Sequence, residues 1–120
     1  MRPRRIMVGY DGSDGAGRAL EAAADLAGYG STLAVVTVHT SEPDRSTTAT
    51  AREQLLRRQV EARYHETGGE PAEALLEKAR ELEADLIVVG RRNGGPLPAP
   101  IGSVSSKVVR NAPCDVLVVR

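Results

Sequence analysis

A chain of 120 residues has the length of one domain, and its 16 lysines and arginines are balanced by 16 aspartates and glutamates. That balance leaves no net field to attract nucleic acid or an anionic membrane, so both kinds of partner are disfavoured. The chain has three tyrosines, no phenylalanine or tryptophan and one cysteine, Cys114, which disfavours base-stacking platforms and rules out an internal disulfide.

The amino terminus is basic and leads directly into a short apolar segment, residues 6–10. No apolar stretch there is long enough for a signal peptide or a membrane span, so we expect a cytoplasmic protein. Asp11-Gly12-Ser13 closes the segment as a turn, which predicts that 6–10 is the first strand. Apolar residues at helical spacing then predict a helix over 16–27.

The rest of the chain continues this alternation of strand and helix patterns, which is typical of a mostly parallel sheet. Residues 60–65 alternate between apolar and polar, as an edge strand does, and Pro71 suits the first position of a helix. The predicted strands are 6–10, 33–38, 60–65, 85–90 and 115–119, and the predicted helices are 16–27, 49–58, 71–82 and 102–110.

A loop rich in glycine and proline separates the fourth predicted strand from the fourth helix, and its composition suits an anion site. Gly90 and Gly102 leave room for a phosphate at the backbone, and Ser103 can cap the helix and donate a hydroxyl hydrogen bond. Glycine turns and serine caps also precede many helices that bind no ligand, and this alternative stays open. The P-loop motif is not matched, because Arg18 and Ala19 stand where it requires Lys and Ser or Thr.

Three separated blocks of the sequence resemble the universal stress protein family. The first two are Asp11-Gly12-Ser13 and Gly69-Glu70-Pro71-Ala72-Glu73-Ala74. The third is a carboxyl-terminal block that contains Ala84-Asp85-Leu86-Ile87-Val88-Val89-Gly90, Gly102-Ser103-Val104-Ser105 and Asn111-Ala112-Pro113-Cys114-Asp115. The resemblance covers nearly the whole chain. It implies one Rossmann-like α/β domain over residues 1–120, an open five-stranded parallel sheet in the order 3-2-1-4-5 with helices on both faces.

Nucleotide-binding members of that family carry the pattern Gly-x2-Gly-x9-Gly-Ser/Thr, which this chain matches in part. Asn93 stands at the second glycine, Gly94 follows it, and the loop is one residue shorter than the pattern. The resemblance implies that Asp11 binds the nucleoside, that the Val38 backbone meets adenine and that the loop surrounds the phosphates; otherwise Asp11 only closes its turn. The implied site residues are Asp11, Gly12, Ser13, Val38, Gly90, Asn93, Gly94, Gly102, Ser103 and Val104.

The function that the resemblance implies is regulation in the stress response by binding ATP or AMP, with or without Mg²⁺. It also implies a homodimer through residues 115–119, an apolar edge strand that nothing after Arg120 covers. An alternative is a dimeric interaction module of the same fold that binds no nucleotide, because the loop is short and contains three prolines. An enzyme is not expected, since no general base or nucleophile–base pair is found beside the loop.

Overall fold

The computed structural model describes residues 4–28, 30–42, 45–91 and 103–120, with Ser103 described by its backbone alone. Strands and helices alternate along the chain as predicted, and Pro71 is the first residue of its helix. In chain order the elements are β1 (Arg5–Gly9), α1 (Asp14–Leu26), β2 (Thr32–His39), α2 (Arg45–Arg57), β3 (Arg63–Gly68), α3 (Pro71–Glu81), β4 (Leu86–Gly90), α4 (Ser103–Asn111) and β5 (Asp115–Val119). Of the helices just given, none is both long and apolar enough to cross a lipid bilayer.

The five strands form one parallel sheet in the order β3-β2-β1-β4-β5. Helices α1 and α2 pack on one face of it and α3 and α4 on the other. These observations confirm the predicted fold. Because the strand order reverses between β1 and β4, the connections that leave these two neighbouring strands turn to opposite faces and leave a crevice at the carboxyl edge.

The sheet separates two apolar clusters. Alternate residues of β1 belong to different clusters, with Ile6 and Val8 toward α1 and α2 and Met7 toward α3 and α4. All three are at most 1% exposed, and burying side chains of this size stabilises the fold by about 1.5–3 kcal/mol each. Since the chain has no phenylalanine or tryptophan, aliphatic side chains and alanines fill most of both clusters.

Asp85 joins β1 and β4 through hydrogen bonds at the opposite, amino edge of the sheet. Its carboxylate accepts hydrogen bonds from the backbone N–H groups of Arg4, at 3.0 and 3.1 Å, and of Arg5, at 3.1 Å. Its own N–H donates to the Arg5 carbonyl at 3.0 Å. Asp85, predicted as the first residue of its strand, therefore lies just before β4 and connects it to β1.

The third strand begins later than predicted, at residue 63 instead of 60. The N–H of Val60 donates to the Leu55 carbonyl at 3.0 Å, which closes the end of α2 and keeps residue 60 out of the sheet. Val60 and Ala62 still pack against the cluster under α1 and α2. Residues 60–62 therefore show the alternating burial of a strand while pairing with none.

Helix α2 begins earlier than predicted, at Arg45 instead of residue 49. Only Ala51 and Leu55 of this helix are buried. Its first turn is polar, so no apolar residues at helical spacing mark this part of the sequence as a helix.

Candidate functional site

The turn after β1 is held in shape by its own hydrogen bonds. Asp11 Oδ1 accepts from the Ser13 N–H at 2.9 Å, and Gly12 takes the left-handed φ of 85° that the turn needs. Ser13 then caps α1, since its Oγ accepts from the Ala16 N–H at 3.1 Å. Asp11 therefore closes its turn, and it also lines a cleft.

This cleft has a volume of about 250 Å³ and opens beside the turn, between the carboxyl ends of β1, β2 and β3 and the first turn of α2. Polar and charged side chains contribute most of its lining. The lining residues are Tyr10, Asp11, Thr37, Val38, His39, Thr40, Ser41, Glu42, Thr47 and Glu66. Strand order brings them together, because β2 lies between β1 and β3 and all three strands end at this edge.

Side-chain hydrogen bonds join three elements beside the cleft. The Oγ1 atoms of Thr37 on β2 and Thr48 on α2 lie 3.0 Å apart, and Thr37 is 6% exposed. The Thr48 hydroxyl donates to Glu66 Oε1 on β3 at 3.2 Å. A buried hydroxyl needs such a partner, and here its partner belongs to a chain of bonds that ends on a carboxylate in the cleft.

The charged side chains known to line the cleft are all carboxylates, namely Asp11, Glu42 and Glu66. Burial raises the pKa of Tyr10 above its usual 10.0, and the neighbouring Asp11 raises it further. The Tyr10 hydroxyl therefore keeps its proton at neutral pH. This lining suits an uncharged ligand group that donates hydrogen bonds and disfavours a phosphate.

The ring of His39 lies against the end of β3, where glycine makes room for it. A Cβ atom at Gly68 would stand 2.9 Å from His39 Cε1. His39 Nδ1 is buried and has no hydrogen-bond partner within the described ranges. Gly68 thus shapes one side of the cleft through the position of this ring.

On the other side of β1, the end of β4 packs tightly against the start of α1. A Cβ atom at Gly15 would stand 2.5 Å from the Arg91 carbonyl oxygen, and one at Gly90 would overlap the backbone of Gly15. The hydroxyl of Ser105, which is 4% exposed, donates to the Gly90 carbonyl at 3.0 Å. Packing alone therefore explains the glycine at position 90, and its contact with phosphate stays a prediction.

The predicted site residues fall into three groups. Asp11 and Val38 meet in the cleft, with Gly12 and Ser13 in the adjoining turn, while Gly90 ends β4. Ser103 is the first residue of α4, and the next residue, Val104, packs against the apolar cluster under α3 and α4. Asn93, Gly94 and Gly102 lie outside the described residues.

Sequence reasoning missed Thr37, Glu66 and Ser105. The first two border the cleft only because β2 and β3 pair in a register that sets Thr37 opposite Glu66. A signal for Glu66 was present, because it follows Tyr64 by two residues and so shares its face of the strand. Across residues 4–28, 30–42, 45–91 and 103–120, no three His, Cys, Asp or Glu side chains converge to hold a metal ion, so these residues give no support for a Mg²⁺ site.

Comparisons with known proteins agree with this fold. Residues 3–120 match the model of the universal stress protein family. A universal stress protein of Thermus aquaticus is 38% identical, with 98% of each chain covered. The structure of a universal stress protein in complex with cAMP is 29% identical and has a TM-score of 0.84, with 100% of this chain and 98% of that chain covered. One from Archaeoglobus fulgidus is 27% identical, has a TM-score of 0.85 and covers 98% of both chains.

Proposed function

Since this chain belongs to the universal stress protein family, we propose that it is a cytoplasmic regulatory protein that binds an adenine nucleotide across the carboxyl edge of its sheet. The nucleoside lies in the cleft beside Asp11, and the phosphates extend toward the start of α4. The observation that carries the proposal is the cleft, which joins Asp11 and Val38. The relative whose structure contains cAMP supports an adenine nucleotide as the ligand class.

The charge of the cleft supports this orientation of the nucleotide. Carboxylates accept hydrogen bonds from ribose hydroxyls and from an exocyclic amino group, whereas they repel phosphate. Asp11, Glu42 and Glu66 are carboxylates of that kind. The uncharged end of the ligand therefore belongs in the cleft.

The start of α4 suits the phosphates. A helix amino terminus carries unpaired N–H groups and a positive partial charge, and the Ser105 hydroxyl holds the first turns of α4 to the end of β4. From β3 to β4 the edge spans three strand spacings, about 14 Å at about 4.8 Å each. A ligand lying along this edge passes from Glu66 over Asp11 to Gly90 and Ser103, and we propose that Asn93, Gly94 and Gly102 also contact its phosphates.

Equilibrium titration of the purified protein with AMP, ADP, ATP and cAMP tests the proposal. We expect at least one to bind with a Kd below about 1 mM. Gly102→Val should abolish that binding because its side chain takes the space of a phosphate. Gly17→Ala, at a half-buried position of α1 where the nearest atom to a new Cβ is 3.8 Å away, serves as control. Wild-type protein that binds none of the four at millimolar concentration would overturn the proposal in favour of the interaction module.

Two substitutions separate a ligand contact at Asp11 from its part in the turn. Asp11→Asn keeps an oxygen that can accept from the Ser13 N–H, whereas Asp11→Ala removes it. We expect both to weaken nucleotide binding by about tenfold, since a hydrogen bond to a charged group contributes about 1.5–3 kcal/mol. Equal affinity in all three proteins would mean that Asp11 only closes its turn.

We propose regulation by nucleotide occupancy instead of turnover. Bound nucleotide stabilises the folded chain by mass action and changes the surface at the edge of the sheet. Phosphate release from ATP should therefore stay at the uncatalysed rate over several hours. Release above that rate that Gly102→Val abolishes would show that the chain is an enzyme.

We propose further that two copies of the chain pair through β5. This strand lies at the edge of the sheet, and its Leu117 is 37% exposed. Sedimentation should show twice the mass of one chain, and Leu117→Lys should shift it toward monomer. Leu56→Lys, on α2 at a side chain that is 65% exposed, is the control. A wild-type protein that stays monomeric at high concentration would contradict the dimer, and a dimer without nucleotide affinity would favour the interaction module.

A further inference from the structure

We propose that Glu66 is a specificity-determining residue of the cleft and that Thr48 is its positioning residue. The carboxylate accepts a hydrogen bond from the uncharged end of the ligand and disfavours negative charge at that point. The cleft thus selects ligands by where their charge lies as well as by their shape. This inference rests on the proposed nucleotide binding.

The position of Glu66 follows from the register of the sheet. Glu66 on β3 stands opposite Thr37 on β2, and both side chains line the cleft. From the other side, α2 brings Thr48 to 3.2 Å from Glu66 Oε1. The carboxylate is exposed at the rim and yet held by a neighbouring element, so it is oriented before any ligand arrives.

The donors of these bonds can be assigned from the chemistry of the groups. A carboxylate only accepts, so the single hydroxyl hydrogen of Thr48 points at Glu66. The bond of 3.0 Å between the two threonines is then donated by Thr37, whose hydroxyl also lies 3.5 Å from the His65 carbonyl oxygen, a longer and weaker alternative acceptor. Both hydrogens point toward the carboxylate, and hydrogen bonds aligned in this way strengthen one another.

The expected consequence is a difference between ligands of unlike charge. Adenosine places only neutral donors near Glu66, whereas ATP also brings several negative charges to the same edge. Removing the charge of Glu66 should weaken adenosine binding and, for ATP, be offset in part by relief of repulsion. The ratio of adenosine affinity to ATP affinity therefore reports the role of Glu66 more directly than either affinity alone.

The test is titration of wild type, Glu66→Gln, Thr48→Val and Thr48→Ser with adenosine and with ATP. We expect Glu66→Gln to lower adenosine affinity by about tenfold and ATP affinity by less, because the lost bond is to a charged group. Thr48→Val should lower the ratio by a smaller factor, and Thr48→Ser, which keeps the hydroxyl, should restore it. Glu61→Gln is the matched control, since it removes the same charge from an exposed residue before the amino end of β3.

The outcomes separate this inference from the proposed function. Nucleotide binding with the same ratio in Glu66→Gln, Glu61→Gln and wild type would overturn the role of Glu66 and leave the proposed function standing. Equal ratios in Thr48→Val and Thr48→Ser would overturn the positioning role of Thr48. Failure of wild type to bind adenosine and every nucleotide would overturn both proposals. Thermal unfolding of each variant checks that the fold is intact.

Discussion

On one side of β1 the carboxyl edge of the sheet opens into a polar cleft, and on the other side it closes through direct backbone contact. The cleft side is formed by turn and threonine hydrogen bonds that leave carboxylates facing solvent. The closed side has Gly90 against Gly15 with no space for a methyl group. The contrast teaches that a glycine from a ligand-binding motif can be required first by packing, while the carboxylates that line the cleft lie outside the glycine motif.

The largest expected effect is on the closed side, from Gly90→Val. The new side chain would overlap the backbone of Gly15, so we expect a loss of about 3 kcal/mol in the free energy of unfolding, measured by urea denaturation. Gly17→Ala is the control, because the nearest atom to a Cβ there is Gln54 Oε1 at 3.8 Å. It should raise stability by about 0.5–1 kcal/mol. A Gly90→Val protein as stable as wild type would contradict the tight packing described for the closed side.

Ser105→Ala tests the hydrogen bond that holds α4 to the closed side. Its hydroxyl is buried and bonded to the Gly90 carbonyl, so we expect a loss of about 1–2 kcal/mol in the same denaturation experiment. Ser106→Ala changes the next residue, which is less buried, and should cost less than about 0.5 kcal/mol. Equal losses from the two substitutions would mean that helix propensity, and not the Gly90 bond, sets the effect.

Ser13→Ala tests the cleft side, where we expect a smaller change. Loss of the cap on α1 should lower the free energy of unfolding by about 1 kcal/mol. Ser13→Asp should keep most of that stability, since aspartate also caps helices and its charge suits a helix amino terminus. If the aspartate variant is as unstable as the alanine variant, the cap is not the source of the effect.

The smallest expected effect is a change of stability with pH, and it arises on the face of β3 opposite to Glu66. Unlike Glu66, His65 points toward α3, and burial lowers its pKa below the usual 6.5, with Lys78 and Arg63 lowering it further and Glu81 opposing them. The unfolded chain therefore takes up this proton first, so stability falls as pH drops below 6.5. Urea denaturation of wild type and His65→Gln at pH 7.5 and 5.5 measures this change in the free energy of unfolding. Between these two pH values the variant should lose less stability than wild type. Equal losses would contradict it.

Sequence reasoning predicted the central strands best, because β1, β2 and β4 are buried on both faces and read as continuous apolar runs. It placed the start of β3 three residues too early, because Val60 and Ala62 are partly buried without being paired. Alternating burial shows which residues contact the core. Whether those residues form a strand depends on their hydrogen bonds to β2, which cannot be read from the sequence of one segment.

Of the residues at the cleft and its adjoining turn, sequence reasoning named Val38, through the family resemblance, and one continuous turn. Asp11, Gly12 and Ser13 are contiguous, so their turn is visible in the sequence. The partnership of Thr37, Thr48 and Glu66 joins two strands and a helix and exists only after the chain has folded. The packing of the closed side was missed for a similar reason, since Gly90 and Gly15 lie 75 positions apart in the sequence.

The strand order also determines when the protein can finish folding. β1 leaves the ribosome before the other four strands of this sheet, yet one of its two neighbours is β4, and the bond from Arg4 to Asp85 spans 81 residues. Contacts this distant slow folding, because a long loop must close before they form. Until then β1 keeps one bare edge with apolar side chains on both faces, which invites pairing with other chains. A nascent chain that stalls after α3 is therefore expected to need a chaperone.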